Sequence, residues 1–297
     1  GRLRVVGPPW ARGPLKSMMS DMGVAVDFSA VSFREATTGE APAERVEQMI
    51  ADATADGALI VVPRVVSIAD AISAPVVDGV PTGILSADAP ADLRPVLRTI
   101  RRPSRPEWTV FAMGKNRYLT AAEAVLDRAR QGETDHPPRI SVRDRRADRC
   151  SRDEASRALA AGPRLAVYVG HGQPNGWSGY QTLRWTHLSS YEQRAPMGAV
   201  AHLACETMSP TAHGSPYGAR FVETGRAAAS LGWLGSIDDE SVSEIARVVG
   251  DGLESGAVET VGDLVTKIAD CIERYSAIDT RLLSQLRLVG SPLQRIR

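Results

Sequence analysis

The chain has 297 residues, of which 43% are hydrophobic, and this is enough for one large or two modest α/β domains with a substantial core. Its 35 Lys and Arg residues balance its 35 Asp and Glu residues, so the composition argues against a polyanion-binding protein, and we expect no direct nucleic-acid partner. No run approaches the length of a membrane span or resembles a signal peptide, and the scattered Cys150, Cys205 and Cys271 do not indicate a disulfide framework, so we expect a cytoplasmic protein without membrane contact.

The first third of the chain alternates short apolar runs with helical patterns. The runs predict strands at residues 2–6, 24–28, 58–62 and 82–85, and the periodicity predicts helices over 42–56 and 67–74. This alternation is typical of a parallel sheet covered by helices, and it predicts a smaller α/β subdomain over residues 1–105. The Arg- and Pro-rich stretch at 94–107 marks its end. We interpret that stretch as a solvated connector, although a phosphate-binding patch or a proteolytic processing site has the same composition.

The same alternation restarts after the connector and predicts a second α/β domain over residues 106–297. Its strands are predicted at 108–113, 140–142, 165–172, 198–207, 226–236 and 286–292. Capping boxes predict helices that begin at Thr120, Ser151 and Ser241, the first of them ending at Gly132, and a last helix is predicted over 262–275.

Two apolar runs of this second domain each close on a reactive residue. The run LAVYVGHG, residues 165–172, closes on His171, and GAVAHLACET, residues 198–207, closes on Cys205. If the runs are neighbouring parallel strands, both residues lie at the carboxyl edge of one sheet, with strands about 5 Å apart. An imidazole there can take the proton of the thiol, and the backbone N–H groups of Gly172 and Cys205 can stabilise an oxyanion. The pattern predicts nucleophilic catalysis by a cysteine peptidase.

Each of these residues also has a structural explanation. A lone Cys in an apolar strand is usually a small buried hydrophobic residue, and a lone His at a strand end is more often structural. Together they favour catalysis. Period two directs His202 to the face opposite Cys205, so we expect a buried core histidine there. We expect no metal and no cofactor, because no compact ligand spacing supports the alternative, a metal site built from His171, His187, His202, His213 and Cys205.

These motifs carry a resemblance to a known family. The run YVGHG, the Gly-Trp pair at 176–177 and the strand ending ACET resemble the clan CD caspase-like cysteine peptidases, in particular their gingipain-like branch and the bacterial CHAT proteases. The closing LVGSP is similar to the "GDP" turn of these domains, with Ser291 in place of the acidic residue. The resemblance implies an α/β fold, with a mostly parallel sheet flanked by helices and preceded by a smaller α/β subdomain. It also implies a His171–Cys205 dyad, a thioester acyl-enzyme and Gly172 in the oxyanion hole.

The resemblance further implies where the substrate residue before the scissile bond, P1, is bound. In such enzymes the P1 pocket lies beside the strand after the Cys strand, here residues 227–236 with Trp233 and Ser236, and beside its exit. Asp238 and Asp239 at this exit would pair with an Arg or Lys side chain. Acidic residues before a helix also stabilise its N-terminus, so helix capping is the alternative explanation for both.

Lys115 and Arg117 make a competing contribution, because the corresponding region of caspases helps to bind aspartate. Our hypothesis is cleavage of a protein or peptide substrate after Arg or Lys, by a regulated bacterial effector protease with a regulatory or activating protein partner. Two other functions are left open by the sequence. One is a catalytically silent caspase-like interaction module, and the other is a zinc-dependent hydrolase.

Overall fold

The computed structural model describes residues 2–31, 42–51, 54–64, 66–131, 140–212, 214–276 and 278–297. The strands are β1 (Arg2–Gly7), β2 (Ala25–Ala30), β3 (Gly57–Val62), β4 (Val76–Val77), β5 (Val80–Ser86), β6 (Arg105–Ala112), β7 (Ser141–Asp144), β8 (Pro163–Val169), β9 (Gly172–Gln173), β10 (Gly176–Trp177), β11 (Leu183–Arg184), β12 (Met197–Leu203), β13 (Ala227–Trp233) and β14 (Leu286–Gly290). The helices are α1 (Arg12–Asp21), α2 (Pro42–Ala51), α3 (Pro90–Arg101), α4 (Asn116–Gln131), α5 (Arg152–Ala160), α6 (Gly179–Thr182), α7 (Trp185–Ser189), α8 (Tyr217–Glu223), α9 (Asp239–Ser255) and α10 (Val261–Arg274). No helix within these ranges is both long enough and apolar enough to cross a bilayer.

One continuous sheet runs through the molecule in the order β2-β1-β3-β5-β14-β13-β12-β8-β6-β7. Neighbouring strands are parallel throughout, except that β14 is antiparallel to β13. Apolar residues of the central strands pack on both faces, because helices cover both faces of such a sheet. The fold is therefore the mostly parallel α/β sheet flanked by helices that the sequence predicts.

The two halves of the chain share this sheet. Strand β14, from the C-terminal end, joins them through its pairing of Val289 with Ile84 on β5. The core of the first half also includes Met208, Ala219 and Val222 from the second half. The division into residues 1–105 and 106–297 stays a prediction, since the sheet and one core cross that boundary.

The expectation that residues 94–107 form a solvated connector is wrong. The stretch contains most of α3, with Leu93, Val96 and Ile100 buried against the core of the first half. Their three- and four-residue spacing gives the helix an apolar face. Pro95 is the sixth residue of α3, inside the helix, where it removes one backbone donor.

Three further predicted helices differ from the structure. Residues 67–74, predicted as a helix, form turns instead. Helix α4 begins at Asn116, four residues before the predicted cap Thr120, while its predicted end at Gly132 lies outside the described residues. Helix α2 ends at Ala51 in the structure, and residues 52–53 of the predicted helix also lie outside the described part.

Candidate active site

His171 and Cys205 lie at one edge of the sheet, just beyond two paired strands. Strands β8 and β12 are parallel neighbours, and their last residues, Val169 and Leu203, are partners in the register. The Gly170 N–H donates to the carbonyl oxygen of Leu203 at 3.2 Å, which keeps the two chains together past the strand ends. His171 and Cys205 each follow two residues after the last strand residue, at the carboxyl edge where open α/β sheets hold their sites.

Gly172 brings the two loops into direct contact. A Cβ atom at this position would lie 2.2 Å from the carbonyl oxygen of Cys205 and 2.9 Å from the Cγ2 of Thr207. Any side chain larger than hydrogen would therefore separate the loops. The segment that carries His171 is held against Cys205 because residue 172 has no side chain.

The thiol of Cys205 faces the loop that follows β13. The backbone N–H of Ile237 donates to its Sγ at 3.4 Å, and the Sγ lies 3.5 Å from the Ile237 carbonyl oxygen. The next residue, Glu206, has a left-handed backbone with φ of 56°, and its N–H donates to the carbonyl oxygen of Gly235 at 3.0 Å. The sulfur is half-buried and forms no hydrogen bond with His171, both residues being among those described.

The His171 imidazole is surrounded by two residues at the start of α4. The Tyr118 hydroxyl oxygen is 3.2 Å from its Nδ1 and 3.3 Å from its Nε2, and the two rings meet edge to face with centroids 5.1 Å apart. The Arg117 Nη2 lies 3.4 Å from Nε2. The Tyr168 hydroxyl donates to the His171 carbonyl oxygen at 3.0 Å, so the backbone at this residue is held as well.

Asp239 connects these two residues from the first turn of α9. Its carboxylate forms an ion pair with Arg117 and accepts a hydrogen bond of 2.9 Å from the Tyr118 hydroxyl. The sequence suggested that Asp239 and Arg117 would favour P1 residues of opposite charge. The structure shows that the two side chains pair with each other.

The charges around His171 favour its neutral form. Burial lowers the pKa of His171, and Lys115 and Arg117 lower this pKa further, while Asp239 acts in the opposite direction. Burial and the hydrogen bond to Asp239 raise the pKa of Tyr118 to about 12. At neutral pH the imidazole is therefore an uncharged base beside a protonated tyrosine.

Known structures share this architecture. Gingipain R, an Arg-specific cysteine proteinase, matches with a TM-score of 0.74 and 12% identity, over 100% of this chain and 78% of that chain. The complex of RgpB pro- and mature domains from Porphyromonas gingivalis matches with a TM-score of 0.72 and 14% identity, over 100% of this chain and 80% of that chain. This chain has the gingipain-like, caspase-like α/β fold.

The same fold is present in a larger protein. The Saccharomyces cerevisiae separase–securin complex matches with a TM-score of 0.56 and 15% identity, over 84% of this chain and 16% of that chain. No protein-family model and no curated protein sequence matches the chain. At identities of 12–15% the likeness shows the fold, and the chemistry has to be argued from the site itself.

Asp238, another residue expected to bind P1, caps a helix instead. Asp238 is the N-cap of α9: its two carboxylate oxygens accept from the Ser241 N–H at 2.9 Å and from the Ser241 hydroxyl at 2.6 Å. Burial raises the pKa of Asp238, but the hydrogen bonds from Ser241 outweigh burial and lower this pKa overall. The N-cap of α9 therefore lies three residues earlier than the predicted cap Ser241, and the capping explanation describes Asp238.

Trp233 and Ser236 differ in their access to solvent. The Trp233 side chain is 0% exposed in the main core, so it cannot touch a substrate without a rearrangement of that core. Its strand ends at this residue, and the side chain points to the face covered by α9 and α10. Ser236 and Lys115 are exposed and remain accessible to a ligand.

Tyr118 is a site residue that the sequence pattern does not single out. The predicted start of α4 at Thr120 leaves Tyr118 outside the helix, whereas α4 begins at Asn116. The signal was present, since the buried residues of α4 follow helical spacing from Tyr118 onwards, in the series Tyr118, Ala121, Ala122, Val125, Leu126 and Ala129. A tyrosine on the buried face of the first helical turn lies at the edge of the sheet.

His202 lies inside the core, as predicted. Its side chain is fully buried; the Trp177 Nε1–H donates to its Nδ1 at 2.9 Å, and its Nε2 lies 3.1 Å from the Ser230 hydroxyl. An indole N–H only donates, so Nδ1 accepts and Nε2 carries the proton. Burial lowers the pKa of His202 to about 3, which keeps it neutral at all ordinary pH values.

The metal-site alternative finds no support in the arrangement of the possible ligands. Within the described ranges, no three His, Cys, Asp or Glu side chains lie close enough to hold a metal ion together. His213, one of the five residues in that alternative, lies outside the described residues.

A cavity of about 620 Å³ opens on the side of Cys205 away from α4 and α9. Its wall includes Glu206, the residue after Cys205, together with Trp185, Tyr217 and Arg220. Tyr217 belongs to the core on the sheet face opposite α4 and α9. The cavity and the Arg117–Asp239 pair therefore lie on opposite sides of the sheet edge.

Proposed function

We propose that this chain is a cysteine endopeptidase in which Cys205 is the nucleophile and His171 the acid–base residue. The contact of Gly172 with Cys205 carries this proposal, because it holds the His171 loop against the residue that has the thiol. The neutral imidazole and the half-buried thiol are the two groups that the reaction needs.

The reaction proceeds in two steps. His171 takes the proton of the Cys205 thiol, and the sulfur attacks the carbonyl carbon of the scissile peptide bond. The C–N bond then breaks, His171 gives its proton to the leaving amine, and a thioester remains. Water, deprotonated by His171, hydrolyses the thioester, and the proton returns to sulfur. The Gly172 N–H is our candidate donor to the oxyanion of both steps.

Proton transfer requires the site to rearrange from its resting geometry. The sulfur contacts Ile237, and the imidazole nitrogens face Tyr118 and Arg117. Catalytic hydrogen bonds are often long or unformed in free enzymes and form when substrate is bound. A substrate polypeptide bound at the sheet edge would lie between the Arg117–Asp239 pair on one side and the cavity next to Glu206 on the other. The cavity offers room for substrate residues on its side of the edge.

We propose cleavage after Arg or Lys, with Asp239 as the carboxylate that contacts the P1 side chain. A basic P1 group would replace Arg117 as the partner of Asp239. A fluorogenic peptide library that varies P1 tests this. The expected result is turnover of Arg and Lys peptides that is strongly reduced in Asp239→Asn. Preference for Asp or Glu at P1 would contradict it and would point to Lys115 and Arg117.

The identity of the nucleophile is tested by substitution and by alkylation. Cys205→Ala is expected to abolish turnover, and iodoacetamide is expected to label Cys205 first, because Cys150 and Cys271 are only 7% and 5% exposed. Residual turnover in a homogeneous Cys205→Ala preparation, or labelling that spares Cys205 in the folded protein, would contradict the proposal. The two buried thiols serve as internal controls for folding.

The unformed hydrogen bond between sulfur and imidazole favours a second candidate function, a caspase-like interaction module without turnover. A regulatory protein partner is part of the proposal for either function. The two functions are separated by the library experiment: a folded protein that cleaves no P1 variant and retains an unreactive Cys205 would be the module.

A further inference from the structure

We infer that Tyr118 and Asp239 are positioning residues that, together with Arg117, fix which nitrogen of His171 carries the proton. The four side chains form a closed ring of contacts at the sheet edge. The catalytic consequence rests on the proposed function, whereas the position of the proton can be measured without any activity.

When the contact between Arg117 and Nε2 is a hydrogen bond, the donor and acceptor properties of the four groups allow one arrangement. A guanidinium has no acceptor, so Arg117 Nη2, 3.4 Å from Nε2, donates to the lone pair of that nitrogen. A carboxylate only accepts, so the Tyr118 hydroxyl donates its single hydrogen to Asp239 at 2.9 Å. The Tyr118 oxygen is then left as an acceptor for the imidazole.

The remaining proton of His171 therefore lies on Nδ1. Nδ1 is 3.2 Å from the Tyr118 oxygen and can donate to it. The Tyr118 oxygen is also 3.3 Å from Nε2, but Nε2 is the acceptor for Arg117 and has no hydrogen to give. The ring closes because Arg117 also forms the ion pair with Asp239.

Two helix starts hold this ring in place. Arg117 and Tyr118 are in the first turn of α4, and Asp239 is the first residue of α9, whose N-cap is Asp238. The guanidinium of Arg117 lies over the Tyr118 ring, 4.9 Å from its centroid, and the Tyr118 side chain is 3% exposed. Because the packing of both helices is fixed, the imidazole meets partners that are already oriented.

The ring assigns different tasks to the two imidazole nitrogens. Nδ1 is bound to Tyr118, so Nε2 is the nitrogen that accepts the proton of a thiol. Arg117 covers Nε2 in the resting structure and has to move aside for this transfer. Tyr118 thus acts through His171 and needs no contact with substrate, whereas Asp239 acts on His171 through Tyr118 in addition to its proposed contact with the P1 side chain.

Nuclear magnetic resonance of protein with ¹⁵N-labelled histidine tests the inference. The two imidazole nitrogens give well-separated signals according to whether they carry a proton, and the His171→Gln variant identifies the His171 signals among those of the five histidines. Above the pKa of His171 we expect a protonated Nδ1 and a bare Nε2. In Tyr118→Phe and in Asp239→Asn we expect averaging between both tautomers, because the acceptor for Nδ1–H is lost or free to rotate.

Tyr275→Phe is the matched control, since Tyr275 contacts Arg247, which pairs with Asp251, in a cluster outside the site. It should leave the His171 signals unchanged. For turnover we expect kcat to fall about 10-fold or more in Tyr118→Phe, with KM little changed. A proton on Nε2 in the wild type, or a tautomer that is the same in Tyr118→Phe, would overturn the inference. An inactive wild type with a proton on Nδ1 would contradict only the proposed function.

Discussion

Gly172 lies so close to Cys205 that a Cβ atom on it would be 2.2 Å from the Cys205 carbonyl oxygen. This contact joins the loops after β8 and β12, and no side chain can be accommodated there without moving one of them.

Gly172→Ala is therefore expected to abolish peptide turnover and to lower the free energy of unfolding by about 1–3 kcal/mol, through overpacking. Urea denaturation and the fluorogenic assay measure the two effects. Gly13→Ala is the control, because a Cβ on Gly13 in α1 meets nothing within 4 Å. That variant should gain roughly 0.5–1 kcal/mol from helix propensity and retain turnover. An active Gly172→Ala enzyme would mean that the two loops need not touch.

Asp238 can be tested as a helix cap separately from any role in P1 binding. Asp238→Ala removes both acceptors for Ser241 and is expected to lower the free energy of unfolding by about 1 kcal/mol. Asp238→Ser retains a capping oxygen and should recover most of this loss. If Asp238 only caps α9, P1 preference in the serine variant equals that of the wild type. A selective loss of Arg and Lys turnover in Asp238→Ser would instead place this carboxylate in the P1 pocket.

The pH dependence of turnover is expected to follow the His171 imidazole. His171 must be neutral to take the thiol proton, and a base is neutral above its pKa. Because burial, then Lys115 and Arg117, lower this pKa, the acid limb of kcat/KM should lie below the ordinary value of about 6.5. Arg117→Gln removes one cation, so the pKa rises and the limb moves to higher pH.

Arg143→Gln is the control for that shift, since Arg143 pairs with Glu107 on the neighbouring strand and should leave the limb unchanged. A downward movement of the limb in Arg117→Gln would show that the arginine does not act on His171 by its charge. The measurement is a series of kcat/KM values from pH 4.5 to about 8, in buffers of constant ionic strength.

His202 is expected to make the fold sensitive to mild acid. Burial lowers its pKa to about 3 in the folded state, against about 6.5 in the unfolded chain. The unfolded state therefore binds a proton first as the pH falls, and stability is full above about 6.5 and is lost progressively between there and about 3. This residue alone should lower the free energy of unfolding by about 2 kcal/mol between pH 7 and pH 5.

Urea denaturation of the wild type and of His202→Gln at both pH values isolates this contribution. Gln can accept from Trp177 and donate to Ser230, as His202 does, but it does not titrate in this range. The variant should lose about 2 kcal/mol less on acidification than the wild type. Equal losses in the two proteins would show that His202 is already protonated, or accessible, in the folded state.

Much of the fold, and the positions of His171 and Cys205 in the site, can be predicted from local patterns. The buried strands read as continuous apolar runs, and residues that follow such runs in a parallel sheet share an edge, which is why His171 and Cys205 were found. The helix at residues 90–101 was missed because its arginines and Pro95 outweighed, in the sequence pattern, the apolar spacing of Leu93, Val96 and Ile100.

The amino-acid sequence by itself determined the alternation of strands and helices, the α/β class and the two reactive residues. These can be predicted because the apolar side chains that a strand or a helix buries recur at a fixed spacing within a short stretch of chain. Only the tertiary structure decided that Arg117 pairs with Asp239, that Asp238 caps a helix and that Tyr118 contacts His171. Tyr118 and Asp239 are 121 residues apart in the chain, and no periodicity links them. Their contact exists because two helices begin at the same edge of one sheet.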